Sequence, residues 1–241
     1  MPRFPSKIVD RFEVAQGTMA FAFERPPAFN FTAGQFMTVT LPNALYEDEK
    51  GNRRSFSIAS PPHELDRLTI ATRMTGSAMK RSLAEMPPGT PVSLFGPSGS
   101  FVLPSDADAP SVFIAGGIGI TPFRSMLLDA GERRLPHEVL LIYSNRNPEG
   151  AAFLDEMMAL TQGAPGLRCV PTMTNAEGGQ PPWTGERRVV CPELLHDLVA
   201  DMALPVFYVA GPPGLVAAVA RSVVDAGADP ARVRSEEFEG Y

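Results

Sequence analysis

The sequence predicts two domains in series: an antiparallel β-domain, barrel or sandwich, over residues 1–104, and an α/β domain on a parallel sheet over residues 105–241. Three observations lead there. Short strand-like runs, parted by turn residues, fill the first hundred positions. Strand and helix patterns alternate after residue 110, which is the grammar of a parallel sheet covered by helices. Between them "LPSDADAP", 103–110, is polar, proline-bounded and aperiodic, and reads as a linker. A chain of 241 residues has room for both units.

In the first half the strand candidates are "KIVDRFEVA", "TMAFAFERP", "GQFMTVTLP", "RRSFSIAS", "RLTIATRM" and "TPVSLFGP". One helix interrupts them, Ser77 to Glu85, with Ser77 placed to cap it. In the second half "SVFIAGG" is a buried-type strand and a helix follows from Thr121. Next come strand "EVLLIYSN", helix "EGAAFLDEMMAL", strand "LRCVPTMT" and a Gly/Pro-rich loop through Trp183. Helix "PELLHDLVA", strand "PVFYVAGP", helix "PGLVAAVARSVVDAG" and a last short strand "RVRSEEF" complete the pattern.

Composition removes several classes. The net charge of −6 has the wrong sign for a nucleic-acid binder. No apolar run approaches the ~20 residues that span a bilayer. The start "MPRFPSKIVDRFEV" lacks the apolar core of a signal peptide, so a cytoplasmic setting is expected. The two cysteines, Cys169 and Cys191, form no C-x-x-C pair, and His63, His137 and His196 lie in unrelated contexts. No metal site is expected from such a set. Charge is unevenly spread: residues 1–104 hold 11 Lys/Arg against 9 Asp/Glu, and residues 105–241 hold 10 against 18.

The run "RRSFSIAS", 53–60, alternates as a half-buried strand does, Phe56 and Ile58 to one side and Ser55 and Ser57 to the other. Arg54, Phe56 and Ser57 there offer a cation, a flat apolar face and a hydroxyl. A flavin nucleotide would use all three, for phosphate, ring and polar ring edge; an ordinary strand with a surface arginine is the plain alternative. "RMTGSAMKRSL" puts Gly76 and Ser77 at a helix start, with Lys80 and Arg81 nearby, as a second candidate anion site. "SVFIAGGIGITPFRSML" runs a strand into Gly116, Gly117 and Gly119, then Thr121 as a cap and Pro122 at the first helical position. Such a turn brings free N–H groups to a pyrophosphate, although Pro122 stands where the usual fingerprint has its last glycine. "FYVAGPPGLV" repeats the logic later, delivering Ala210, Gly211 and Pro212 to the same sheet edge.

Together, in this order and spacing, these segments resemble the ferredoxin–NADP reductase family, whose broader members include reductase components of oxygenases. The resemblance covers nearly the whole chain. It implies a β-barrel that binds FAD, followed by a domain that binds NADPH or NADH. Arg54, Phe56 and Ser57 match the family's Arg-x-aromatic-Ser motif, which implies contacts to flavin pyrophosphate, ring and N5, with Ser55 between them and Ser57 as the catalytic side chain. Gly76, Ser77, Ala78 and Met79 match its second flavin-phosphate segment. Gly116, Gly117, Gly119, Thr121 and Pro122 match its nicotinamide-nucleotide loop, and Gly211-Pro212-Pro213 match its Cys-Gly-Pro-Pro segment. The ending "EEFEGY" resembles members whose terminal aromatic covers the flavin, which makes Phe238 or Tyr241 the lid. Phe56 replaces the usual tyrosine, and Ala210 stands where many members have cysteine.

Nucleotide choice is read after the second strand of the α/β domain, where an acid favours the ribose hydroxyl and a base the phosphate. "YSNRNPEG" offers Ser144 and Arg146, with no carboxylate before Glu149, which favours NADPH over NADH. The resemblance implies a monomeric NAD(P)H oxidoreductase handing electrons through FAD to a separate protein carrier, such as a ferredoxin, flavodoxin or oxygenase component. Two alternatives stay open: a reductase of small acceptors (free flavin, ferric chelates, quinones), and an electron-transfer subunit of a larger complex. Lys50, Arg53, Lys80 and Arg81 mark the flavin half as the docking side for an acidic carrier.

Overall fold

The computed structural model describes residues 2–104, 108–177 and 182–238. Its chain divides into two compact units: Met1–Leu103 with Thr121–Asp129, and Pro104–Ile120 with Ala130–Tyr241.

The first unit is built on six strands: β1 (Arg3–Ala15), β2 (Thr18–Glu24), β3 (Phe36–Thr40), β4 (Arg53–Ser57), β5 (Arg67–Arg73) and β6 (Pro91–Ser98), with helix α1 (Ala78–Glu85) before the last. Their order is β4-β3-β6-β1-β2-β5, and every neighbouring pair is antiparallel. The two ends of this order meet where Ala59 donates its N–H to the Thr69 carbonyl at 2.7 Å and Thr69 donates to Ser60 Oγ at 3.0 Å. That contact makes the sheet barrel-like.

Strand β1 runs further toward the N-terminus than its sequence suggests. Pro5 interrupts the pattern, yet Arg3–Lys7 pair with β6 while Ile8–Ala15 pair with β2. One strand therefore serves two partners, with register shifts at Ile8/Asp10 and Glu13/Ala15 that let it bend from one to the other. The barrel core gathers Ile8, Phe21, Phe23, Met37, Val39, Ile70 and Leu94, all at most 1% exposed.

The second unit carries five parallel strands: β7 (Ser111–Gly116), β8 (Val139–Asn145), β9 (Leu167–Met173), β10 (Val206–Gly211) and β11 (Val233–Glu237). Helices α2 (Ile120–Glu132), α3 (Leu154–Gly163), α4 (Pro192–Leu198) and α5 (Pro213–Asp225) connect them, residues 121–129 of α2 being counted with the first unit. The order β11-β10-β7-β8-β9 reverses direction at the β10/β7 boundary. The chain moves outward one way from β7 to β9, then returns to lay β10 on the other side of β7. Ligands of open α/β sheets lie outside the carboxyl ends of strands at such a switch. One face of this sheet packs Val112, Ile114, Ile142, Phe207 and Val209 against Val216, Val219 and Val223 of α5.

Two helix starts differ from expectation. A 3-10 turn, Gly117–Gly119, precedes α2, which then begins at Ile120; Thr121 lies inside the helix at 3% exposure and does not cap it. The run from Glu149 is not helical from its start. Pro148–Gly150 form a 3-10 turn capped by Asn147, and Phe153 takes a left-handed φ of 59° before α3 opens at Leu154.

Phe21 is fully buried on β2, whereas its near neighbour Phe12 on β1 is 41% exposed. Phe21→Ala should therefore cost about 3–5 kcal/mol of unfolding free energy and Phe12→Ala about 1 kcal/mol or less, as read by urea denaturation followed by circular dichroism.

Candidate functional site

β4 ends the strand order with β3 as its one ladder partner, and the bonds to β5 begin only past it, at Ala59. The register places Arg54 opposite Val39 and Phe56 opposite Met37, on one face; Ser55 lies opposite Thr38 and Ser57 opposite Phe36, on the other. Ser55 is tied down by a 2.9 Å bond between its hydroxyl and that of Thr38. Ser57 is not. It is 5% exposed, and its Oγ has no hydrogen-bond partner among the described residues. A buried polar atom left in this way asks for a ligand or water. Phe56 is half-buried and packs against the barrel core with part of its ring area free.

Arg54 does not reach freely from the strand. Its Nη1 donates to the carbonyls of Lys50, Gly51 and Arg53 at 2.5, 3.1 and 2.7 Å, and its Nη2 lies 3.4 Å from Asp48 Oδ1. The other oxygen of Asp48 accepts from the Ala78 N–H, at the start of α1, at 3.0 Å. Ser77 occupies the cap position, but its hydroxyl makes no capping bond. Asp48, thirty residues earlier in the chain, does so in its place. That bond, with help from Lys50 N–H and Arg54, holds the Asp48 carboxyl below its usual range. Lys80 is held below the usual lysine range, first by burial and then by repulsion from Arg54 and Lys50. Arg54, Lys50 and Lys80 thus lie close enough to repel one another beside a helix start, where negative charge is favoured.

Gly76 has φ +78°, a left-handed value that favours glycine, with open space where a Cβ would stand. Met79 is a core residue, so only its backbone faces outward chemistry. Arg81 does not point at the helix start: its guanidinium lies over the Tyr46 ring, 3.7 Å from the centroid. Arg53 similarly lies over Phe95.

In the second unit, Gly116, Gly117, Gly119, Ala210 and Gly211 meet at the carboxyl ends of β7 and β10. The glycine that matters most for this meeting is Gly119. A Cβ there would lie 2.1 Å from the Ala210 carbonyl oxygen and 2.8 Å from Gly211 N. Its first role is therefore backbone against backbone within the sheet edge. Pro212 caps α5 and Pro213 opens it, so α5 begins directly at the same edge. Pro122 lies inside α2, two residues past its first.

Ser144, the next-to-last residue of β8, pairs with Gly116 and is 8% exposed, and Arg146 is exposed. Between them sequence reasoning passed over Asn145. It is 7% exposed, and neither side-chain amide atom has a partner among the described residues. An asparagine at a strand's carboxyl end was the available signal. The loops after β8 and β9 are tied together, Asn175 N–H donating to the Arg146 carbonyl and Thr174 N–H to that of Asn145. Phe238 extends the last strand, its N–H donating to the Gly211 carbonyl at 2.9 Å, and its side chain is half-buried. Tyr241 lies outside the described residues. Burial pushes the Cys169 thiol up to about 12, which makes it a poor nucleophile. Among the described residues no group of three or more His, Cys, Asp or Glu could hold a metal, and no helix is long and apolar enough to cross a membrane.

Comparison with known proteins agrees with this geometry. Residues 113–221 match the oxidoreductase NAD-binding domain family. A ferredoxin–NADP reductase B of Sorangium cellulosum is 32% identical over 208 residues, covering 84% of this chain and 82% of that protein. The chain belongs to the ferredoxin–NADP reductase family. It is thereby an oxidoreductase of that family. Reductase component 1 of a Comamonas terephthalate 1,2-dioxygenase is 28% identical over 198 residues, and the chain spans 56% of its length. The structure of a ferredoxin NADP+ reductase from Neisseria gonorrhoeae with bound FAD and NADP superimposes with a TM-score of 0.79 at 25% identity, covering 98% of each chain. The two-unit arrangement of an antiparallel barrel and a parallel sheet is that of the family.

The residues present fit FAD in the first unit. Arg54, Lys50 and Lys80 supply the positive charge that a diphosphate needs, and Ser57 holds an unused buried hydroxyl. Replacing Gly119 by alanine should disturb the second unit alone. The Cβ has backbone, not a flexible side chain, in its way. Gly119→Ala should cost about 1–3 kcal/mol of stability and weaken NADPH binding in isothermal titration, with the visible spectrum of the protein unchanged.

Proposed function

We propose that the chain is an FAD-dependent NAD(P)H oxidoreductase that passes electrons from the nicotinamide nucleotide to a separate protein carrier, a ferredoxin, flavodoxin or oxygenase component. The observation that carries this reading is the buried, unpartnered Ser57 hydroxyl, three residues along β4 from Arg54 and its cation cluster. FAD, when bound, supplies the chemistry: it takes a hydride and gives up the electrons to the acceptor. Everything else is positioning. Arg54 and the N–H groups at the start of α1 hold the diphosphate. Phe56 offers a flat face to the ring. Ser57 donates or accepts at the ring's polar edge. The turns at Gly116–Gly119 and Gly211–Pro212 receive the nicotinamide nucleotide, and Phe238 is anchored at the same edge by its N–H on the Gly211 carbonyl.

Residues 1–104 are accordingly assigned to FAD and residues 105–241 to NAD(P)H, in a cytoplasmic setting where that nucleotide is found. Arg146, exposed beyond Ser144, is assigned to the 2′-phosphate of NADPH. The carrier is assigned to the barrel half, whose Lys50, Arg53 and Arg81 are exposed. An acidic carrier would be steered there. Relatives that are reductase components of oxygenases, such as the terephthalate dioxygenase reductase, support the carrier reading over small acceptors.

The decisive measurement is a visible spectrum of the purified protein, which should show an oxidised flavin that bleaches anaerobically on adding NADPH. A colourless protein that takes up no FAD would overturn the reading. Arg54→Ala should weaken FAD binding by roughly 10- to 100-fold, the loss of a charge-assisted contact of about 1.5–3 kcal/mol. Ser57→Ala should keep FAD and lower kcat and kcat/KM together, seen as slower flavin reduction in stopped flow. Arg146→Glu should raise KM for NADPH far more than for NADH; equal effects would remove Arg146 from the phosphate site.

A further inference from the structure

The loop between β3 and β4 lies along α1 and is fastened to it at several points. Tyr46 N–H donates to Ser82 Oγ at 3.0 Å, Tyr46 OH donates to Glu85 Oε2 at 2.6 Å, and Arg81 covers the Tyr46 ring. At the head of the helix the loop delivers Asp48. One of its oxygens accepts from Ala78 N–H at 3.0 Å; the other lies 3.4 Å from Arg54 Nη2 and accepts from Lys50 N–H at 2.9 Å.

These are donors of a phosphate site: a backbone N–H at a helix start and a guanidinium. We propose that Asp48 is an internal stand-in for the flavin diphosphate, its carboxylate holding Ala78 N–H and Arg54 until FAD displaces it and the loop at 42–52 swings off α1. The inference rests on the reading of the first unit as the FAD half.

Charge favours the exchange. Asp48 pairs with Arg54 at 3.4 Å, and Arg54 and Lys50 lie close enough to Lys80 to repel it. A diphosphate carries two negative charges into the same cluster and neutralises it more fully. Helix α1 has no acidic residue of its own in its first turn, and the Ser77 hydroxyl does not cap it. Asp48 and the diphosphate are therefore alternative caps, and the helix start has one or the other throughout. The tip of the loop around Asp48 is exposed. The Asp48 side chain is 31% exposed and Leu45 is 55% exposed, so the contacts given up are mainly those of Tyr46 with α1 and of Ala44 with the edge of the core. Asp48 thus sets the affinity for FAD from outside the flavin-binding motif.

The test is fluorescence titration of deflavinated protein with FAD, comparing wild type with Asp48→Asn and Asp48→Ala, each checked for folding by circular dichroism. Both variants should bind FAD roughly tenfold more tightly, since the displaced contact is a charge-assisted hydrogen bond. The deflavinated Asp48→Ala variant should also melt a few degrees lower, because α1 loses its cap, whereas the asparagine of Asp48→Asn keeps an oxygen that can accept the Ala78 N–H. In an Arg54→Ala background the gain from Asp48→Asn should shrink, because the two residues act on one site. Unchanged or weaker FAD binding in both Asp48 variants, with wild type binding FAD normally, would overturn the inference and leave the flavin reading intact. Wild type that binds no FAD would overturn the flavin reading itself.

Discussion

The close approach of Gly119 to the Ala210 carbonyl is the constraint on which the second unit depends. A parallel sheet that reverses order must bring the first turn, after β7, beside the end of the strand that returns, β10. No side chain fits between them, because even a Cβ would sit 2.1 Å from the carbonyl oxygen. With glycine there, the starts of α2 and α5 both open at one sheet edge. The glycine-rich run therefore has a structural role before it has a binding one. Its ligand capacity follows from how tightly the sheet edge is closed.

In the first unit the governing interaction is electrostatic. Arg54, Lys50 and Lys80 are held near one another by β4, the loop just before it and α1, which begins some twenty residues later. Such a cluster is costly unless an anion balances it. Asp48 supplies part of the balance and, through Ala78 N–H, ties the charge to the helix dipole. The same few atoms thus tie the loop, β4 and α1 to one another.

Much of this was legible in the sequence, and the exceptions have physical reasons. The alternation in residues 53–60 correctly put Ser57 and Phe56 on opposite faces, because a strand's period of two is local. The order of strands and helices in the second half was legible for the same reason. The first half of β1 was not, since Pro5 breaks the pattern and pairing with β6 is a long-range event. The start of α3 was hidden by a run of good helix formers that conceals the left-handed turn at Phe153. Thr121 carries the chemistry of a cap, but the 3-10 turn before it moved the helix start upstream. Asp48 was invisible as a functional group: its partner Ala78 is fixed by tertiary packing, and no motif links an acidic loop to a helix start thirty residues on.

The shared strand β1 has a consequence for the order in which the molecule is made. Its second half meets β2 almost at once through a tight hairpin, but Arg3–Lys7 find their partner only at residues 91–95. The first unit also draws on Thr121–Asp129, residues translated after β7 of the second. During synthesis the N-terminal segment must therefore wait, unpaired, while the whole barrel sequence emerges, and the unit is finished only once part of the next has left the ribosome. Non-local pairing of this kind makes folding slow relative to its stability. Pro5, which obscured the strand in the sequence, sits in the stretch that is kept waiting, where a missing backbone donor makes premature pairing with another chain less favourable.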